Sequence, residues 1–259
     1  MIERINKSNW GNFFIVQSYY FQNDLFKAEK ILFKQFNKNI EDKKILDIGI
    51  GIGRTTKYLS KKTKTYTGID YSEKMINTAK TLFPKLNLKV MDAKKLDFPN
   101  NSFDFVLFSF NGIDCVDLNS RITIFKEIHR VLKKNGIFMF SFHNYLSYNK
   151  KSPTLKFTLN PLLLIVRMYC FLVSHFNINR YKKYEIKEKL YGMFLDGGGG
   201  LFNLVNFYII PTFQKQLLSK LFKTKLYDTQ GNIIINKKKF FNKENWMIYA
   251  ICQKKIVVK

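Results

Sequence analysis

The sequence predicts an α/β protein with a doubly wound, mostly parallel, seven-stranded sheet and an inserted lid. Three observations predict it. Between residues 43 and 143, short apolar runs alternate with amphipathic stretches at the spacing of βαβ units. One of those runs, from Phe103 to Phe110, is apolar almost throughout, as a strand buried on both faces must be. Near the end of the chain, residues 223–231 and 245–255 form two more strand-like runs, close enough in sequence to pair antiparallel.

The elements follow in order. A helix is expected over residues 23–36, ahead of the first strand at 43–51, which ends in glycines. Residues 53–62 read as a helix and 65–70 as the second strand. Ser72 is placed to cap a helix over 72–83 that carries Met75, Ile76 and Ala79 on one face. Residues 87–93 give the third strand and 103–110 the fourth. An amphipathic helix over 120–136, stopped by Gly136, leads into the fifth strand at 137–143. The alternation then fails. A Lys/Ser/Pro-containing loop, an apolar segment and a Lys-rich stretch precede two apolar runs joined by Asp196 and four glycines, which read as a β-hairpin with a flexible tip. Pro211 and Thr212 open a last helix. The expected organisation is an N-terminal helical cap (1–42), an α/β core (43–144), an insertion or lid with the hairpin (145–210), and a C-terminal helix and strand pair that complete the core (211–259).

Composition narrows the classes. With 259 residues, 46% of them hydrophobic and 16% aromatic, the chain is no disordered polypeptide. Cys115, Cys170 and Cys252 are far apart and no C-x-x-C pair occurs, so neither a disulfide framework nor a zinc ribbon is expected, and a reducing compartment such as the cytoplasm is. The N-terminus has no apolar signal core. The most apolar stretch, Leu155 to Phe176, is interrupted by Asn160, Pro161 and Arg167, so a soluble protein without a membrane span is expected. The net charge of +25 comes mostly from Lys, with only six Arg. Lys is a flexible, solvated charge, whereas bidentate phosphate and base recognition favours Arg. This supports a mild preference for anionic partners and no dedicated nucleic-acid surface.

The chemistry lies in Asp47-Ile-Gly49-Ile-Gly51-Ile-Gly53, directly after a strand and opening a helix. Glycines there let backbone approach a ligand, and the helix start offers partial positive charge. A dinucleotide fingerprint would need glycine at 54, where Arg54 stands. Asp47, two residues before the first glycine, is where a ligand ammonium group would want a carboxylate. Asp70 ends the second strand and Asp92-Ala93 the third, while Asn101-Ser102-Phe103-Asp104 leads into the fourth.

This ordered set resembles class I S-adenosylmethionine-dependent methyltransferases over residues 43–143. The resemblance implies a Rossmann-like fold and S-adenosylmethionine as cofactor with S-adenosylhomocysteine as product; no His/carboxylate cluster stands at ligand spacing beyond the scattered Asp114 and Asp117, so no metal is expected. It places Asp47, Gly49, Gly51 and Gly53 at the donor's amino-acid end and Asp70 on the ribose hydroxyls. Tyr71 and Met75 are expected beside the adenosine, Asp92 and Ala93 at the adenine amine, and Ser109 at the edge of the fourth strand. His143, ending the fifth strand, is the candidate proton acceptor, because imidazole titrates near neutral pH. Tyr19, Tyr20, Asn111 and Asn144 are the candidate acceptor-binding residues. His129 is expected in packing and His175 in no role. The expected acceptor is an O or N atom of a small, anionic molecule, phosphorylated or nucleotide-linked, such as a capsule or surface-polysaccharide precursor or a phosphoramidate. An RNA methyltransferase is the alternative, although Ser109-Phe110-Asn111-Gly112 stands where a base-amine motif of the Asn-Pro-Pro-Tyr type would. A non-catalytic S-adenosylmethionine-binding protein is the third reading.

Overall fold

The computed structural model describes residues 2–10, 24–197 and 201–255. Its helices are α1 (Ile2–Trp10), α2 (Lys27–Gln35), α3 (Thr56–Leu59), α4 (Glu73–Leu82), α5 (Leu118–Val131), α6 (Pro161–Tyr181) and α7 (Pro211–Leu218). Its strands are β1 (Ile45–Ile48), β2 (Tyr66–Asp70), β3 (Asn87–Val90), β4 (Phe103–Phe108), β5 (Leu132–Asn144), β6 (Ile186–Lys187), β7 (Tyr191–Leu195), β8 (Val205–Ile209), β9 (Phe222–Tyr227) and β10 (Met247–Lys254).

Seven strands form the expected sheet, in the order β3-β2-β1-β4-β5-β10-β9. The first five are parallel, and β10 runs antiparallel to both β5 and β9. Period-two alternation sends side chains to two cores. Along β5, Phe138, Phe140 and Phe142 join a cluster with Phe125 and Ile128 of α5 and Leu218 of α7. Ile137 and Met139 face the other way, into a cluster with Leu32 and Phe33 of α2, Leu59 of α3 and Ile76 of α4. Helices therefore cover both faces. The strand order reverses between β1 and β4, the point at which open α/β sheets leave a crevice at their carboxyl edge.

Several boundaries differ from expectation. Helix α3 is a single turn, because residues 51–55 are spent in the glycine-rich turn. Helix α5 stops at Val131 rather than at Gly136, and β5 begins at once, with Asn135 in the left-handed region (φ +66°). Ser72 does cap α4, its hydroxyl accepting from the Met75 N–H. The hairpin β7–β8 forms with Tyr191 opposite Ile209 and Leu195 opposite Val205. However, β8 also pairs in parallel with the end of β5, His143 beside Tyr208 and Asn144 beside Ile209. The segment expected as a lid thus prolongs the sheet, bringing it to ten strands with β6 at its edge.

The expected break in the apolar segment is also corrected. Asn160 caps α6 by accepting from the Leu163 N–H, and Pro161 occupies its first turn, so both residues start a helix instead of interrupting one. By length and composition alone, Pro161–Tyr184, with mean hydropathy 1.5, is long and apolar enough to cross a membrane.

Candidate active site

The chain leaves β1 through a turn in which Gly49 (φ +65°) and Gly51 (φ +56°) adopt left-handed conformations that side chains disfavour. A Cβ on Gly49 would also lie 2.7 Å from the ring of Phe108. Asp70, at the end of β2, fixes this turn: one carboxylate oxygen accepts from the Gly51 N–H (2.9 Å), the other from the Ser72 N–H (2.8 Å). Burial pushes the Asp70 carboxyl up to about 6, with the backbone N–H bonds pulling the other way.

Asp47 sits beneath the turn, fully buried. One of its oxygens accepts from the hydroxyls of Thr55 (2.7 Å) and Tyr66 (2.8 Å), while the other has no hydrogen-bond partner. Burial pushes its carboxyl up to about 7, against the lowering by those two hydroxyls.

Above the turn, at the carboxyl edge of β1 to β4, lies a cavity of about 350 Å³. Gly49, Gly51, Asp70, Tyr71, Met75, Asp92, Ala93 and Ser109 all line it. These expected cofactor residues, far apart in sequence, are thus brought together. Gly53 is not among the lining residues. Its φ is +102°, and a Cβ there would stand 2.4 Å from the Phe83 ring, so it is a packing glycine.

The acceptor residues fare differently. Tyr19 and Tyr20 lie outside the described residues. Asn111 does not line the cavity; it shapes the turn after β4, with φ +56° and its N–H donated to the Ser141 hydroxyl (2.8 Å). Asn144 is fully buried and committed elsewhere: its amide donates to the carbonyls of Phe240 (2.7 Å) and Asn245 (3.0 Å), and its oxygen accepts from the Leu146 N–H. His143 is also outside the cavity. Its Nδ1 lies 2.8 Å from a carboxylate oxygen of Asp114, and its ring stacks on Tyr208 at 4.6 Å. The physical reason is β8, which pairs with β5 at these two residues and covers the strand end that an unextended sheet would leave open. That pairing holds both residues outside the cavity lining, where a catalytic His143 and a substrate-binding Asn144 are expected.

Three features had little or no sequence signal. Arg54, noticed only as a missing glycine, is a buried clamp: its guanidinium donates to both Glu29 oxygens (2.5 and 2.7 Å) and to the Ser109 hydroxyl (3.2 Å), stacked near Phe26 and Phe110. Burial pulls its pKa down, and the Glu29 carboxylate more than restores it. Glu29 was discoverable, since it falls on the apolar face of α2 beside Ala28, Leu32 and Phe33. Helix α1 brings Glu3, Arg4 and Lys7 to the cavity wall and is held there by the buried Asn6. The Asn6 amide donates to the carbonyls of Cys115 (3.0 Å) and Val205 (2.8 Å), and its oxygen accepts from the Val205 N–H. An ion pair between Glu3 and Lys94 ties α1 to the loop after β3. Among the described residues, no three His, Cys, Asp or Glu side chains converge as a metal site would require.

The cavity fits a cationic ligand that carries hydroxyls. Asp70 and Asp92 open into it from adjacent strand ends; Asp47, with one unpartnered carboxylate oxygen, is fully buried and not among the lining residues.

Residues 45–136 match the sequence profile of a family described as a methyltransferase domain. The chain is 32% identical over 141 residues to the ubiquinone/menaquinone biosynthesis C-methyltransferase UbiE of Rickettsia bellii, covering 48% of this chain and 56% of that protein. It is 35% identical over 121 residues to the demethylmenaquinone methyltransferase of Staphylococcus aureus, covering 43% and 49% respectively. The matches span about half the length of these relatives. An S-adenosylmethionine-dependent methyltransferase from Clostridium acetobutylicum has the same fold over 88% of this chain and 90% of its own, with a TM-score of 0.58 at 16% identity.

Proposed function

We propose that this protein transfers a methyl group from S-adenosylmethionine to a small-molecule acceptor. The observation that carries the reading is the cavity in which the glycine turn, Asp70, Asp92, Ala93 and Ser109 meet at the β1/β4 reversal. When bound, the cofactor supplies an electrophilic methyl group on a sulfonium. The chain's own part is positioning and exclusion of water. Asp70 has a second lone pair on each oxygen for adjacent hydroxyls, Met75 and Phe110 give apolar walls, and α1 closes one side.

For the acceptor, we infer a small molecule with an anionic group. Arg4 and Lys7 line the cavity from α1, facing an apolar wall that includes Phe110, Val116 and Ile124. An acceptor that is already anionic needs no proton acceptor from the protein, in keeping with a cavity wall without histidine. The expected surface-polysaccharide pathway gains no support from the relatives, whose names refer to quinones and, in one case, to a fatty acid. That apolar wall favours a second reading, methylation at carbon of a hydroxylated ring. The test is transfer of labelled methyl groups to a panel of small carboxylates, phosphates and hydroxyquinols, with bulk RNA present. Label in small anionic acceptors is expected. Label confined to hydroxyquinol carbon establishes the second reading, and label in RNA replaces both. Tight S-adenosylhomocysteine binding without transfer to any acceptor points to a non-catalytic binding protein.

A further inference from the structure

We propose that α6 and the loop before it seat the protein on an anionic lipid bilayer, lying in the interface without crossing it. The helix has 21 residues, of which only Ser174 and Tyr181 are buried. Leu162, Ile165, Val166, Tyr169, Leu172 and Phe176 recur at intervals of three and four along an exposed apolar stripe, and Leu163 and Met168 are exposed to either side of it. The preceding loop adds Phe157 (76% exposed) and Leu159 (93% exposed). Among the described residues nothing covers this face, and it is larger than the scattered apolar exposure usual on a protein surface.

Charge decides between a membrane and a second copy of the chain. Lys150, Lys151 and Lys156 precede the helix, Arg180 lies in its last turn, and Lys182, Lys183, Lys187 and Lys189 follow it, with only Glu185 and Glu188 among them. Two copies packed through α6 would bring these basic flanks together in either orientation. An anionic lipid surface complements them at both ends.

The connections decide between lying and crossing. At the C-terminal end, Tyr181 is buried and the Asn177 amide donates to the Leu201 carbonyl (2.8 Å). At the other end, Tyr148 stacks on Phe194 of β7 at 4.1 Å. Both ends of the 148–181 segment are therefore fixed to one body. A helix of this length, about 31 Å, could cross the hydrocarbon only if residues 148–160 returned through it, and they form neither helix nor strand. Unpaired backbone of that kind is not tolerated in lipid. Instead the loop folds along the helix, the Arg167 guanidinium donating to the carbonyls of Lys156 (3.0 Å) and Phe157 (2.9 Å). Loop and helix form one exposed apolar surface bordered by cations, which an anionic bilayer surface complements.

The test is co-sedimentation of the full chain with vesicles of phosphatidylcholine alone and of phosphatidylcholine mixed with phosphatidylglycerol. Binding is expected to the mixed vesicles, to weaken with added salt, and to fall about tenfold or more in an Ile165→Asn/Leu172→Asn variant. Both residues are exposed, so the variant's unchanged S-adenosylhomocysteine binding reports that it is folded. Alkaline carbonate should release the bound protein. The proposal is overturned if the chain ignores the mixed vesicles, if the variant binds them equally, or if carbonate fails to release it. It is equally overturned if the chain sediments as a dimer that the variant dissolves, since the stripe would then face a second copy.

Discussion

Replacing Asp70 by Ala should weaken both cofactor binding and the fold, by separable amounts. In the free protein the carboxylate accepts from the Gly51 and Ser72 N–H groups. Alanine leaves both without an acceptor, and each buried unsatisfied donor costs about 1–3 kcal/mol, so stability should fall by about 2–6 kcal/mol. In the proposed cofactor complex, the same carboxylate is the charged acceptor for hydroxyls. Its loss removes about 2–3 kcal/mol of binding, roughly 30- to 150-fold in Kd. Asp70→Asn keeps the shape and one carbonyl oxygen, so it should recover most of the stability and little of the affinity. Calorimetric titration with S-adenosylhomocysteine, beside urea unfolding of each variant, separates the two effects. An Asp70→Ala protein with an unchanged Kd and an unchanged unfolding midpoint would remove Asp70 from both the turn and the site.

Three further outcomes are expected. The carboxyls of Asp70 and Asp47, raised to about 6 and about 7 from 3.8, favour the free fold most below 3.8, and that contribution is lost as pH rises through 6 and 7; a ligand that presents an ammonium group and hydroxyls prefers the ionised forms. S-adenosylhomocysteine affinity should therefore rise across that window with proton release, and calorimetry in buffers of different ionisation enthalpy showing a flat profile would contradict it. Arg54→Ala strands the buried Glu29 carboxylate and should cost about 3–5 kcal/mol in urea unfolding, whereas an unchanged midpoint would mean that the clamp is not structural. His143→Ala should lower stability by about 1–3 kcal/mol through lost stacking and burial, with kcat and KM nearly unchanged; a fall in kcat of about 10²–10⁴ would restore the proton-acceptor role.

The cofactor end was legible because its signals are local. A strand followed by glycines, and acids at the next two strand ends, specify both a backbone path and the edge it reaches, so chain order alone placed Asp70, Asp92 and Ser109 together. The acceptor end was not legible, because it depends on pairings distant in sequence. Nothing near His143 announces that residues 205–209 will cover it, and nothing in residues 2–10 shows that Asn6 will bind Val205. Asn160 and Pro161 illustrate a different difficulty. The same two residues break a helix from within or begin one from its first turn, and only their position relative to the helix axis decides which. Arg54 registered as an absent glycine, whereas its partner Glu29 stood on an apolar helix face as a charge that burial would oblige to pair.

The cavity lined by Gly49 and Gly51 is proposed to hold S-adenosylmethionine. Titration of the protein with S-adenosylhomocysteine and, separately, with NAD tests it most directly. The account predicts micromolar binding of S-adenosylhomocysteine, about −8 kcal/mol, and no heat with NAD; binding of NAD with none of S-adenosylhomocysteine would contradict it.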